Sequence, residues 1–310
     1  MKQNYTGSNF FNGWTFFTYA DPTHGVVQYR SAADSWSLGL VSINNAGNAI
    51  MKVDTTPTVS GNRNSVRIQT SIQYTGGLII LDAVHMPIGC GTWPAFWSVG
   101  PANWPNNGEI DVIEGVHFAT RNQMSIHTTA GCTMPANYGA SGYLASSGPQ
   151  ATNCDVVASG GTGCGIVSPT PNDYGTGFNS NGGGVYAMKW DTSSGGSGIS
   201  VWFFPRGGIP FDISTKEPQT SGWGIPQGHW PASTCNPSQF FNNHVLVFDT
   251  TLCGDWAGAS SVWNSATQNG QTGGSCAART GYANCADFVR AQGGTFSEAY
   301  WEVKSVQMYQ

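Results

Sequence analysis

Along residues 66–73 (Val-Arg-Ile-Gln-Thr-Ser-Ile-Gln) apolar and polar side chains alternate. Val66, Ile68 and Ile72 fall on one face and Arg67, Gln69, Ser71 and Gln73 on the other, the period of a strand with one buried side. Residues 78–86 are apolar except for Asp82 and His85, and read as a strand covered on both faces. Strand patterns recur at 26–30, after the turn at Asp21-Pro22-Thr23-His24-Gly25, and at 124–129, 244–252 and 299–309. The segments 185–190 and 199–205 flank Ser193-Ser194-Gly195-Gly196-Ser197-Gly198, which signals a hairpin. The aromatic stretch 10–17 reads as strand or loop. Residues 90–104, rich in Pro, Trp and Gly, read as a rigid loop, and 131–184 as a long loop closed in part by two cysteines. Helix is expected only at 285–292. No repeat, charge block or shift of composition marks a second domain, so 1–310 reads as one domain.

Composition strengthens the β reading. Charged residues make up 9% of the chain, against a usual figure of about 25%. With 42 Gly and 12 Trp, the balance favours short strands joined by Gly- and Asn-rich loops, an all-β domain. The net charge of −5 and the lack of a basic cluster exclude a nucleic-acid partner, which needs cations against its phosphates. An aromatic-rich, charge-poor surface suits neutral sugars, whose C–H faces stack on rings. The eight cysteines are even in number and lack C-x₂-C pairs, so disulfides in an oxidising compartment are expected rather than a zinc site. Many pairings are open; Cys154–Cys164, closing a short Gly-rich loop, is the one specific expectation. No apolar run reaches membrane-spanning length. Met1-Lys2-Gln3 does not open a signal peptide, and the reading is a mature secreted chain with an added initiator Met, monomeric.

One stretch departs from generic β-structure. Gly108-Glu109-Ile110-Asp111-Val112-Ile113-Glu114-Gly115 sets three carboxylates in a short apolar run and holds two of the chain's five glutamates. Carboxylates there cost free energy unless they are hydrogen-bonded or line a cleft. Acid–apolar alternation alone also describes a strand with one solvated face. Parity is more informative. In a flat strand Glu109 and Asp111 share a face and Glu114 falls on the other. One extra residue in a β-bulge between Asp111 and Glu114 restores Glu114 to their side, and bulges are enriched beside active sites. Acids on one groove are what glycosidic cleavage needs: a carboxylate to attack the anomeric carbon and a protonated one to serve the leaving oxygen. Two glutamates on one strand, with Asp111 between them to tune their charge, suit retaining double displacement, whose carboxyls stand about 5–5.5 Å apart.

At these residues the sequence resembles glycoside hydrolase family sixteen. Glu-Ile-Asp-Val-Ile-Glu is similar to that family's E-x-D-x-x-E signature in its bulged, laminarinase-type form. Gly91-Thr92-Trp93-Pro94-Ala95, Trp104-Pro105 and residues 20–25 and 253–258 resemble fungal secreted endo-β-1,3(4)-glucanases. The resemblance implies a concanavalin-like β-jelly-roll sandwich with a concave cleft for β-glucan. It implies Glu109 as nucleophile, Glu114 as general acid/base and Asp111 as the assisting acid, in an endo-glucanase that cleaves β-1,3, or also mixed β-1,3-1,4, linkages with retention. A transglycosylase shares the intermediate and resolves it with a sugar instead of water. A glucan-binding protein of the same fold would lack the glutamates present here.

Other residues follow with their alternatives. Most tryptophans are partly buried core, but the resemblance sets Trp97, Trp104 and Trp256 against the sugar. Trp14, Trp36, Trp223, Trp263 and Trp301 are assigned to core or surface. His127, on the strand after the acids, is expected in the cleft beside Glu114. Arg67 is either solvated or a partner for sugar hydroxyls, and Asp255 either binds sugar or caps a turn. Asn4-Tyr5-Thr6 is the one glycosylation sequon. In the relatives a sequon precedes the Cys-Gly-Asp-Trp block, where this chain reads Asp249-Thr250-Thr251. No cofactor or catalytic metal is expected; a structural calcium ion on the outer face stays open, although no acidic loop marks a site for one.

Overall fold

The computed structural model describes all 310 residues. Two antiparallel eight-stranded sheets pack face to face as a β-jelly-roll sandwich. The sheet carrying the acids runs, in spatial order, Tyr143–Leu144, Cys164–Val167, Gln123–His127, Glu109–Glu114, Thr92–Val99, Val245–Leu252, Arg67–Thr70 and Trp14–Phe16. The second runs Gly228–Pro231, Gly198–Pro205, Gly184–Trp190, Gly77–His85, Tyr300–Tyr309, Ala49–Lys52 and Val41–Ile43, with Gln3–Thr6 beside Tyr300–Tyr309. Alternation turns one face of each sheet inward. Ile110, Phe96 and Phe248 of the first meet Tyr186, Met188 and Val306 of the second in one core, and the Phe96 and Phe248 rings lie 4.5 Å apart. Each such side chain stabilises by about 1.5–3 kcal/mol when buried.

The run at 78–86, apolar but for Asp82 and His85, has cover on both sides. Ile79 and Leu81 enter the central core, while Leu78 and Ile80 pack outward with Trp202, Ile213 and Trp223. The hairpin pairs Trp190 with Ile199, and its turn wraps Asp191, which accepts the N–H groups of Ser193 and Ser197. Residues 27–29 form a strand that pairs in parallel with Arg63–Ser65, outside both large sheets.

Several expectations need correction. Residues 90–104 are not a loop, because Thr92–Val99 is a central strand between the acidic strand and Val245–Leu252. Pro94 cannot donate to a ladder, and it is accommodated because the acidic strand ends at the pair Glu114–Ala95, leaving Pro94 a neighbour on one side only. The stretch 131–184 supplies two strands at one end of the sheet and the helix Gly175–Ser180. Beside the expected helix, Cys285–Ala291, others form at Ala32–Ser37 and Cys276–Thr280. Their caps, Asn284, Ser31 and Ser275, each accept a backbone N–H. One- or two-turn helices are too short to show a period. Ile72 is exposed because its strand stops at Thr70.

All eight cysteines pair, as Cys154–Cys164, Cys90–Cys276, Cys132–Cys235 and Cys253–Cys285. Cys90 precedes Thr92–Val99 and Cys253 follows Val245–Leu252, so two bridges tie the C-terminal helices to strands near the acids. No helix is long and apolar enough to cross a membrane.

Candidate active site

The acidic strand carries the bulge that its spacing demands. Against Gln123–His127, Asp111 opposes Ser125 and Glu114 opposes Gln123, so three steps on one strand match two on the other. Against Thr92–Val99 the register shifts between Asp111 and Ile113. Ile110, Val112 and Ile113 are fully buried in the core, and Glu109, Asp111 and Glu114 occupy the opposite face.

Asn122 secures this irregularity. Its Nδ2–H donates to Val112 O (2.8 Å), and its Oδ1 accepts the Glu114 N–H (3.0 Å). The carboxamide thus satisfies two backbone groups at the bulge. The Asn122 backbone N–H donates in turn to Oδ1 of buried Asp173 (2.9 Å).

An indole grips each glutamate. Trp104 Nε1–H donates to Glu109 Oε2 (2.9 Å), and Trp93 Nε1–H donates to Glu114 Oε1 (2.8 Å). Trp93, Ala95 and Trp97 alternate with buried Pro94 and Phe96, which puts both tryptophans on the acids' side. Trp104 is exposed, in the turn before the acidic strand, and that turn is anchored from below. Buried His244 is neutral, since burial pushes its pKa down to about 4. It donates from Nε2 to Asn107 O (2.7 Å) and accepts at Nδ1 from Ser98 Oγ (2.9 Å).

His127 opposes Glu109, not Glu114. The antiparallel turn-back is the reason: Gln123, the first residue of the returning strand, pairs with Glu114, and His127, its last, reaches Glu109 at the far end. Nε2 of His127 lies 3.2 Å from Asp111 Oδ2 and 3.9 Å from Glu109 Oε1, without the alignment of a hydrogen bond at Oδ2. Arg67 is buried rather than solvated. Its guanidinium carbon lies 4.4 Å from the Phe17 ring centre and 4.9 Å from that of Trp97. Its Nη1 stands 3.9 Å from Asp249 Oδ2, which also accepts Trp97 Nε1–H at 3.2 Å. The position where the relatives' sequon was expected therefore holds a buried carboxyl. Asn4, in the actual sequon, is half-buried with its Oδ1 covered.

Trp256 is half-buried and meets Trp93, the indole bonded to Glu114, edge to face at 5.7 Å. Asp255 is exposed and tied to the turn at 21–25. Its carboxylate lies 2.9 Å from His24 Nδ1, and its N–H donates to Thr23 O (2.9 Å), pinning the Gly254–Ala257 helix to the turn at 21–25. The residues that sequence reasoning missed are Trp93, Asn122 and His244.

The carboxyls hold protons unusually well. Loss of water, and then the charge of Asp111, push Glu109 and Glu114 both up to about 8, while the indole N–H bonds oppose the rise. Asp111 is held well above the carboxylate range by burial and then by Asp249, and burial pushes Asp249 up to about 7. Crowded acids out of water do not all ionise together. Glu109, Asp111 and His127 offer ligand atoms within 4.8 Å of one another. A metal would need those carboxyls deprotonated, so their environment favours sharing protons over chelation.

The family model described as the XgeA-like catalytic domain of GH16 matches residues 14–309. A probable glycosidase of Schizosaccharomyces pombe is 42% identical over 312 residues, covering 100% of this chain and 69% of the relative. A probable endo-1,3(4)-beta-glucanase of Aspergillus fumigatus is 39% identical over 314 residues, covering 100% of this chain and 45% of the relative. The chain thus spans less than half of that relative. Among solved structures, laminarinase 16A from Phanerochaete chrysosporium, with 6-O-glucosyl-laminaritriose in donor and acceptor sites, is 39% identical with a TM-score of 0.88, covering 100% and 99% of the two chains. An elongating family 16 β-1,3-glucosyltransferase is 38% identical with a TM-score of 0.86 over the same shares, 100% and 99%. The chain belongs to the XgeA-like group of glycoside hydrolase family 16.

Proposed function

We propose that residues 1–310 form a single catalytic unit of a secreted, monomeric endo-β-1,3(4)-glucanase that works by retaining double displacement. The observation that carries this reading is the bulge, which sets Glu109 and Glu114 on one face with Asp111 between them and an indole N–H on each. Family membership, the likeness to laminarinase 16A and the four disulfides support it.

In the first step a Glu109 oxygen attacks the anomeric carbon while the glycosidic C–O bond breaks and Glu114 gives its proton to the leaving oxygen. In the second, Glu114, now a carboxylate, takes a proton from water, and the water oxygen displaces Glu109 from the same carbon. Trp104 steadies the ionised form of Glu109 through its N–H. Burial raises Glu109 and Glu114 alike, so the pair retains a proton at neutral pH, and the first step needs that proton on Glu114 with Glu109 ionised. Asp111, held protonated, spares the pair a third negative charge.

The test is hydrolysis of laminarin and lichenan by Glu109→Gln and Glu114→Gln. Both variants should fold and lose activity; near-native turnover in either would overturn the assignment. The likeness to a glucosyltransferase favours a second reading, in which a sugar resolves the intermediate. Products longer than the substrate at high oligosaccharide concentration would mark it.

A further inference from the structure

The two glutamates lie along one strand, so a sugar chain passing between them crosses that strand and runs across the sheet. The ladders define its path. From Glu114 the directly opposed residues are Ala95, then Asp249, then Arg67. Phe17 follows, its N–H donating to Arg67 O (2.9 Å). That is four strand spacings, about 19 Å. The aromatic trail then continues past the sheet, because Tyr19 meets Phe17 edge to face at 5.4 Å and is 75% exposed.

The opposite direction ends in the same way. Glu114 is opposed by Gln123, then Val167, then Tyr143. This is three spacings, about 14 Å, and Tyr143 stands 49% exposed on the last strand. The adjoining row is low: Ser125, opposite Asp111, is followed by Gly165, where a Cβ would come within 2.8 Å of Ala145 Cβ. Directly opposed residues share a face, so Tyr143 is on the acids' side. Both rings stay open to water in a chain that buries Tyr5, Tyr29, Tyr74, Tyr174 and Tyr186.

Resting on the glucanase reading, we propose that Tyr19 and Tyr143 are sugar platforms at the two ends of a groove spanning the whole sheet, and that they set a preference for long β-glucan chains. A tyrosine suits this task because its ring offers an apolar face to the C–H side of a pyranose, and its hydroxyl can donate to or accept from the sugar's. The occupant is the distal part of the chain being cleaved, since the rows of directly opposed residues run unbroken from Glu114 to each end.

Tyr19→Ala, Tyr143→Ala and the double variant test this on laminaritriose, laminariheptaose and laminarin. Phe211→Ala serves as control, since Phe211 is exposed and far along the chain from either end of the groove. Each single change should lower kcat/KM on the two long substrates by about tenfold, mainly through KM, and leave the trisaccharide within about twofold. Phe211→Ala should change none of them. Equal losses at every length, or a double variant with the wild-type length profile, would overturn the proposal. Wild-type turnover separates the two claims. Failure to cleave any β-glucan overturns the glucanase reading and this one with it, whereas cleavage with an unchanged length profile in the double variant overturns only this one.

Discussion

Asn122→Ala tests whether the bulge, beyond the mere presence of acids, makes the site. The change leaves Val112 C=O and the Glu114 N–H without their partners, at 2.8 and 3.0 Å, in a place closed to solvent. Each unpaired buried group costs about 1–3 kcal/mol. The variant should therefore lose about 2–6 kcal/mol of stability, less what a water in the vacated space restores. Domains of this kind are stable by about 5–15 kcal/mol, so it should fold and melt earlier. The effect on catalysis is distinct. Glu114 loses a backbone anchor, and a displacement of about 1 Å at a reacting group costs about 10²-fold. The assay compares laminarin with a dinitrophenyl β-laminaribioside, whose leaving group departs without a proton. If Glu114 is the acid, kcat on laminarin falls about 10²-fold while the first step on the aryl substrate changes less than about threefold. Equal losses on both substrates would mean general damage, and full laminarin activity in a folded variant would mean the bulge needs no clasp. Either result refutes the reasoning.

Other outcomes follow from the same contacts. Glucan hydrolysis should decline above about pH 8 as Glu114 loses its proton, and the dinitrophenyl substrate should lack that alkaline limb; a limb common to both would contradict the role. Trp104→Phe removes the N–H that favours ionised Glu109, so the acidic limb of kcat/KM should move to higher pH, and an unmoved profile would contradict it. Asp173 is buried with Oδ2 unpartnered and is pushed up to about 7 by burial. The folded state therefore holds its proton more tightly than the unfolded chain, where the carboxyl titrates at about 4, so this contribution to stability is whole below about pH 4 and lost as pH rises through about 7. Asp173→Asn should flatten the fall in Tm between about pH 5 and 8, and an unchanged slope would contradict the linkage. Removing the Cys253–Cys285 bridge by a double Ser substitution should cost about 2–5 kcal/mol in chemical denaturation. It should also raise KM for laminarin, because the helix bearing Trp256 begins at that cysteine.

What could be read from the chain depended on whether a contact leaves a period behind. The bulge was legible because odd spacing from Glu109 and Asp111 to Glu114 conflicts with a shared face, and only an inserted residue resolves it. Cys154–Cys164 was legible from its short loop, whereas Cys90–Cys276 joins residues 186 apart, beyond any local signal. Trp93 was within reach: Trp93, Ala95 and Trp97 have the period of two, but Pro94 and the flanking glycines made the stretch resemble a loop. His127 was expected beside the wrong glutamate because antiparallel strands reverse direction, so the end of the returning strand meets Glu109, at the start of the acidic strand, and only Gln123 meets Glu114. Asn122 and His244 act on backbone atoms through single side chains, Asn122 at the bulge and His244 at Asn107 in the Trp104 turn, which no repeat or motif records.

The most direct test of the central claim is to trap the covalent intermediate. The wild-type protein is incubated with a 2-deoxy-2-fluoro laminaribiosyl fluoride, digested and sequenced by mass spectrometry. The account predicts one laminaribiosyl label, carried by Glu109 and released when an acceptor glucan is added. A label on Glu114, on Asp111 or on a residue outside the acidic strand would contradict it.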